Sequence, residues 1–424
     1  MKTTAVSTLL VSLAGANNLN FPFPYGSVTP VPFKASVDPE FIKETVLKAS
    51  LYRPSVDLLD GATSNEGWLE GPPRANMTAL AKYWSKDYNW TEAQAEINGD
   101  FSHFAVTIPS AGDYNHSVPL HFIHERSDAE NAIPLLLLHG WPSTHREWSQ
   151  VIAPLRSPTN SSAQAFHIVA PDIPGFGFSP APTYSGLNAP EMGAAFNKLM
   201  NKLGYEKYGV VSTDLGWVVS LFLAAQQPDN VLGLFSDFWL IHPNSTDLER
   251  RAQNQTTEEE TLYIDSIEDF VNNHFSYSEA HEQTPLAIGQ AMSDSPVGYA
   301  GWIWHLVHWI NDGYEYGFDE LITNTLLLWI QGSFGNIRSY KESLPLLASE
   351  TIYVKVPTAA SVWGNTNGPL ETLGHAQLTP SSWIERTVNL TFYARHEHGG
   401  HFPAQTEPEL WTKDVQNFFE SLVN

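Results

Sequence analysis

Apolar and polar positions change rhythm twice along this chain. Up to about residue 100 the spacing is helical. Asp38 stands as an N-cap before Pro39 at a first helical position, residues 80–88 place apolar side chains one turn apart, and residues 91–97 start another helix. The preceding stretch, 17–32, is rich in Pro, Phe and Asn and reads as an extended arm. From Phe101 the period shortens to that of strands. Residues 104–108 and 119–123 form two of them around a turn at Gly112-Asp113. Ile133-Pro134-Leu135-Leu136-Leu137-Leu138 is continuously apolar, as a strand covered on both faces requires. A helix at 148–155, a strand at 166–170, a helix at 191–203 and a strand at 208–211 follow. Strands that alternate with helices predict a mostly parallel, doubly wound α/β sheet.

The alternation stops between residues 243 and 348. This stretch is Trp-rich and helical, most plainly at 299–310 and 318–329, and reads as a module inserted into the sheet domain. Strands resume at 351–356 and 388–393, and a helix at 408–423 closes the chain. The predicted plan is a signal peptide over 1–16, an N-terminal extension over 17–110, a first core segment over 111–242, a helical cap over 243–348 and a second core segment over 349–424. The signal peptide rests on Lys2, the mostly apolar stretch 5–14 and the small residues Ala14-Gly15-Ala16.

Composition narrows the function. Of 424 residues 42% are hydrophobic and 14 are Trp, enough for a large core. A net charge of -24 repels nucleic acid and anionic membrane, so neither is expected as a partner. After the N-terminus no apolar run is long enough for a transmembrane segment. Seven N-x-S/T sequons, at Asn76, Asn89, Asn115, Asn160, Asn244, Asn254 and Asn389, join the leader in predicting a secreted, N-glycosylated protein. There is no cysteine, so its stability has to come from the core and not from disulfides.

Candidate chemistry centres on Val210-Val211-Ser212-Thr213-Asp214-Leu215-Gly216, a strand running straight into a helix. Small residues two before and two after Asp214 match the tight turn that presents a nucleophile at a helix N-terminus. A carboxylate there is ionised at neutral pH. It can open a strained or activated carbon by displacement, leaving an alkyl ester on the protein. The competing reading is an Asp that only caps the helix.

Three further segments weigh in. His139-Gly140-Trp141-Pro142 follows the buried strand, Pro171-Asp172-Ile173-Pro174-Gly175-Phe176-Gly177-Phe178-Ser179 follows the next, and Gly399-Gly400-His401-Phe402-Pro403 precedes the last helix. With Asp214 between them, the order resembles an epoxide hydrolase of the microsomal type. The helical extension, with Pro32-Phe33-Lys34 and Tyr83-Trp84, is similar to that subgroup's. The resemblance implies an α/β-hydrolase fold with a helical cap and an N-terminal helical extension. It implies Asp214 as nucleophile, Tyr277 and Tyr340 as ring-opening acids that also bind substrate with Trp141, His401 as the base for ester hydrolysis, and the N–H groups of Trp141 and Leu215 as oxyanion hole. Substrate would be a small apolar epoxide, with water as the second reactant.

The pattern departs at the acid that should orient His401. Glu371, in Gly368-Pro369-Leu370-Glu371, fits if a short insertion is allowed, and Asp237 is the fallback. If neither serves, ester hydrolysis would be slow. Trp217 also stands after Gly216 where a small residue is usual. A haloalkane dehalogenase, which also uses an elbow Asp, is the nearest alternative, though Leu215 stands where such enzymes place a Trp. A non-catalytic binding protein on the same fold is the other. Diol release separates it from an enzyme. No H-E-x-x-H, other metal-ligand spacing or dinucleotide fingerprint is found, so neither metal nor cofactor is implied.

Overall fold

The computed structural model describes residues 19–57, 68, 70–160, 162–349 and 352–423. The expected signal peptide lies outside the described residues. The strands β1 (Val31–Pro32), β2 (His103–Ile108), β3 (Val118–Glu125), β4 (Ile133–Leu138), β5 (Phe166–Pro171), β6 (Tyr208–Ser212), β7 (Val231–Ser236), β8 (Val354–Trp363) and β9 (Val388–His396) build one sheet. Their spatial order is β1-β2-β3-β5-β4-β6-β7-β8-β9. Every pairing from β5 to β9 is parallel, whereas β1, β2 and β3 add an antiparallel edge. The extension therefore supplies two strands as well as helices. Leu135 to Leu138 are wholly buried, as are Val210 and Val211, because helices cover both faces of the sheet. From β4 the chain steps to β5 on one side and then to β6 on the other. The crevice beyond the C-terminal ends of β4 and β6 is thus the topological switch point, where α/β sheets bind ligands.

The helices of the extension are α1 (Pro39–Ser50), α2 (Arg74–Lys86) and α3 (Trp90–Asp100). Asp38 caps α1 by accepting from the N–H of Glu40, with Pro39 in the first turn, and Asn89 caps α3 in the same way. The core contributes α4 (Ile152–Arg156), α5 (Ala189–Lys202) and α6 (Asp214–Gln226). The helix expected at 148–155 divides instead into a 3₁₀ turn, His145–Trp148, capped by Thr144, and the short α4.

The inserted module is all helix: α7 (Ser245–Ala252), α8 (Glu258–Asp269), α9 (Ser276–Gln283), α10 (Pro285–Asp294), α11 (Pro296–Ile310), α12 (Phe318–Trp329) and α13 (Phe334–Ser349). Then α14 (Ser381–Ile384), α15 (Pro403–Thr406) and α16 (Pro408–Val423) complete the core.

The extension does more than lengthen the sheet, because it grips the cap. Phe41 stacks on Trp329 at 5.3 Å, Trp68 on His308 at 3.9 Å, and the Tyr88 hydroxyl meets Thr323 Oγ1 at 2.9 Å. Asn20 Nδ2 donates to the Ile330 carbonyl at 2.6 Å. Aromatic pairs of this kind add about 0.5–1.5 kcal/mol each beyond their area. One continuous apolar cluster runs from Phe21 and Trp84 through the sheet to Trp329 and Tyr340. The opposite face of the sheet is sealed by Trp148, Trp363, Trp411 and Phe418.

Candidate active site

β6 stops at Ser212, and the chain turns so sharply into α6 that Asp214 takes φ +46°. A non-glycine residue in this region costs on the order of 1–2 kcal/mol, so its surroundings must hold it there. They do so by close approach. A Cβ on Gly216 would lie 2.2 Å from the Leu138 carbonyl oxygen, and one on Gly140 would lie 2.3 Å from Asp214 Oδ1. Only glycine fits either place, which is the physical content of the small-residue pattern.

The Asp214 carboxylate lies where the loops after β4 and β6 meet. Trp141 N–H donates to Oδ1 at 2.8 Å, and Leu215 N–H also points to the carboxylate. Burial pushes the acid up to about 6, against the pull of these two donors. The pair predicted as oxyanion hole thus holds the resting carboxylate. His139 braces the loop, with Nδ1 at 3.0 Å from the Gly140 carbonyl and Nε2 accepting from Ile173 N–H at 3.0 Å.

Tyr277 on α9 and Tyr340 on α13 face this carboxylate from the cap. Their rings lie 6.1 Å apart, and Trp141 stacks on Tyr277 at 5.6 Å and meets Tyr340 at 6.0 Å. Desolvation and then the charge on Asp214 hold both phenols above their ordinary range, so they keep their protons. The Tyr340 hydroxyl is buried, and the polar group beside it is the Tyr277 hydroxyl. Trp141 is pinned from behind, because Nε1 donates to the Tyr299 hydroxyl at 3.2 Å and Tyr299 donates to Asn336 Oδ1 at 2.6 Å. Asp214, Tyr277 and Tyr340 border a cavity together with His401, Gln377 and Asn365, and the rest of its wall is apolar, with Trp217, Phe238, Phe270 and Leu344. Trp217 packs edge-on to Phe238 and Trp239 and forms part of that wall.

Sequence reasoning passed over His281. One helical turn after Tyr277, its ring lies 4.7 Å from Trp141 and 4.9 Å from Tyr340. Burial lowers it to about 3, so it is a neutral acceptor for Trp302 Nε1 at 3.0 Å. The i, i+4 spacing from Tyr277 was the available signal.

His401 is brought to the nucleophile: Nε2 lies 3.7 Å from Asp214 Oδ2. Burial lowers it to about 4, leaving a neutral imidazole suited to a base. Its expected acid partner is not brought with it. A turn over 365–368 absorbs the extra residues and sets Glu371 on an exposed 3₁₀ turn, Glu371–Leu373, in which Leu373 points inward. Asp237 is buried but bound to Trp411 Nε1 at 2.6 Å, beneath α16. The atom that faces His401 Nδ1, at 3.2 Å, is Oε1 of Gln377. Nothing in the local sequence marks Gln377, because a change of register in the loop brings it there.

Behind the loop after β4 lies a buried polar knot of His121, His145 and Asp172, close enough together to suggest a metal site. Asp172 already accepts from His121 Nδ1 at 2.7 Å, His145 Nδ1 at 2.9 Å and the N–H groups of His145 and Phe178. His121 Nε2 meets His103 Nδ1 at 2.8 Å. Burial opposes its charge, yet His145 and His121 hold Asp172 well below the usual carboxylate range. With both Asp172 oxygens, both His121 ring nitrogens and His145 Nδ1 engaged, the knot is a hydrogen-bond network that ties β3 to the loop after β4.

Residues 30–148 match the family described as "Epoxide hydrolase N terminus", and residues 133–334 match the "alpha/beta hydrolase fold". A protein of Stigmatella aurantiaca, provisionally named an epoxide hydrolase, is 30% identical over 367 residues, covering 84% of this chain and 78% of its own length. The chain belongs to the epoxide hydrolase family. This epoxide hydrolase chain is also 28% identical over 423 residues to epoxide hydrolase 1 of Sus scrofa, covering 91% of this chain and 88% of that one. Its fold is similar to the crystal structure of the Bombyx mori juvenile hormone epoxide hydrolase, with a TM-score of 0.81 at 25% identity over 93% of this chain and 95% of that one. The Aspergillus niger epoxide hydrolase shares the fold at a TM-score of 0.79 and 23% identity, over 95% of this chain and all of the other.

Proposed function

We propose that the protein hydrolyses apolar epoxides to vicinal diols through an ester on Asp214. The carboxylate attacks one epoxide carbon, the C–O bond at that carbon breaks, and the oxygen takes a proton from Tyr277 or Tyr340. An alkoxide is a very basic leaving group, so this step needs the acids. Water then adds to the ester carbonyl as His401 Nε2 takes its proton. The oxyanion rests on the N–H groups of Trp141 and Leu215. Its collapse expels the diol oxygen, which recovers the proton from His401, and leaves Asp214 as the neutral acid, whose remaining water-derived proton returns to the tyrosine phenolate and restores both groups.

One observation carries this reading: an elbow carboxylate faced by two protonated phenols, Tyr340 buried and Tyr277 half-buried, across a mostly apolar cavity. A dehalogenase would need ring N–H groups to hold halide, but Leu215 follows the nucleophile and Trp141 Nε1 is committed to Tyr299. Incubation with styrene oxide in heavy-oxygen water tests the proposal. Wild type is expected to release diol and to carry heavy oxygen in its Asp214 peptide, and Asp214→Asn to do neither; diol from the variant would refute it.

We also propose that the chain is secreted and N-glycosylated. Six of the sequon asparagines are exposed, and Asn76 is half-buried on α2. A fall in mass on endoglycosidase treatment of secreted protein is expected; unchanged mass would count against it.

A further inference from the structure

The second half of the proposed cycle depends on what steadies His401 when its ring takes a proton. The ring lies edge-on to Phe238 at 5.3 Å and to Phe402 at 4.7 Å. Its backbone N–H is tied to the Ile310 carbonyl. Among the described residues no acid other than Asp214 meets this ring: Asp237 accepts from Trp411 through Oδ2 and keeps Oδ1 buried without a partner, Asp312 accepts from the N–H groups of Gly399 and Asn367, and Asp414 meets His396 and Ser361. Apart from Asp214 itself, the polar atom facing this ring is the Gln377 carbonyl oxygen.

We propose that Gln377 is the positioning residue of His401, and that its neutral amide makes hydrolysis of the Asp214 ester the slow half of turnover. The inference rests on the ester mechanism above. Oε1 can only accept, so it fixes the proton on Nδ1 and leaves Nε2 free to take one from water. The tautomer is therefore correct. The deficit comes one step later. As Nε2 is protonated, an imidazolium forms in a buried, aromatic-walled place. A carboxylate on Nδ1 would offset that charge, whereas an amide dipole offsets only part of it. Charge-assisted hydrogen bonds are roughly twice as strong as neutral ones, which sets the deficit at about tenfold in rate or more. The low proton affinity of His401, caused by burial, agrees with a ring lacking a charged partner. Opening of the epoxide does not pass through His401, so that half keeps its speed and the ester accumulates.

Quenched-flow mass analysis of wild type, Gln377→Glu, Gln377→Ala and Asp214→Asn with styrene oxide tests this, reading ester on the intact chain and diol in solution. Wild type is expected to be mostly alkylated during turnover. Gln377→Glu should hydrolyse the ester about tenfold faster, with the alkylation rate within about twofold of wild type, and the ester should no longer build up. Gln377→Ala should alkylate normally and lose the ester more slowly. Normal alkylation serves in each variant as proof of an intact site, and if Gln377→Glu fails to fold the Ala variant decides. Wild type turning over without ester, or ester decay indifferent to both substitutions, would overturn the proposal. Neither ester nor diol from wild type would overturn the epoxide chemistry beneath it, which is a different result.

Discussion

Replacing Tyr340 by Phe separates function from stability, because the proposed mechanism gives its hydroxyl a chemical role while its fold partners are few. The side chain is 3% exposed, and its oxygen has no hydrogen-bond partner among the described residues. A buried, unpaired hydroxyl costs about 1–3 kcal/mol of desolvation in the folded state, and its removal relieves that. At about 2.1 cal/mol/K per residue over this length, each kcal/mol corresponds to about 1 °C in Tm. Tyr340→Phe should therefore melt no lower than wild type, and about 3 °C higher at most. In the proposed mechanism the same hydroxyl is one of two donors for the opening oxygen. Loss of such a donor costs about 2.7–4 kcal/mol, a factor of about 10²–10³. Single-turnover alkylation, followed by intact mass, should fall by that factor while calorimetry shows no loss of stability. Tyr299→Phe makes the contrast: it strands Trp141 Nε1 and Asn336 Oδ1, and should lower Tm by several degrees. If Tyr340→Phe melts as Tyr299→Phe does, or alkylates at the wild-type rate, the assignment of Tyr340 as an acid is wrong.

Three other outcomes are expected. Asp214 must be ionised to attack, and burial sets it at about 6, so kcat/KM should rise with pH through about 6 and then level; a limb centred near 4 would show that the carboxylate is not desolvated. Asp237, pushed up to about 7 by burial, favours the folded state only while protonated, so its charge costs stability progressively as pH rises from about 4 to 7. Asp237→Asn, which can still accept from Trp411, should thus raise Tm at pH 8 by more than at pH 5. The gain has an upper limit of about 4 kcal/mol, at about 1.4 kcal/mol for each tenfold rise in proton affinity; equal effects at both pH values would refute it. Gly216→Ala should abolish alkylation and destabilise the fold by about 1–3 kcal/mol or more, whereas Gly26→Ala, with open space around it, should be silent in both assays.

Much of this was legible in the chain because its signals are local. The apolar run 133–138 and the alternation after it announced the parallel sheet, and Asp214 between small residues announced the elbow. Tyr277 and Tyr340 lie 63 positions apart, and only the resemblance paired them. Gln377 was not legible, because which residue of a loop meets Nδ1 depends on how many residues the preceding turn consumes. Glu371 had the right chemistry and the wrong register. The His121–Asp172–His145 knot was likewise hidden, since three separate segments build it. Of the antiparallel edge, the strands at 104–108 and 119–123 were legible, and β1 escaped because two residues at Val31–Pro32 carry no periodicity.

The tyrosines proposed to open the ring ride on α9 and α13, while the proposed nucleophile and base belong to the sheet domain. Arrival and departure of the substrate are thereby entrusted to separate stretches of one chain. Sequence drift in the inserted helices can change which molecule is captured and how fast, without touching the clock that resets the protein. Drift in one loop of the sheet domain can slow that clock while capture continues unaltered. A lineage could in this way move between a fast hydrolase and a scavenger that holds each molecule it catches, by changes confined to one stretch or the other.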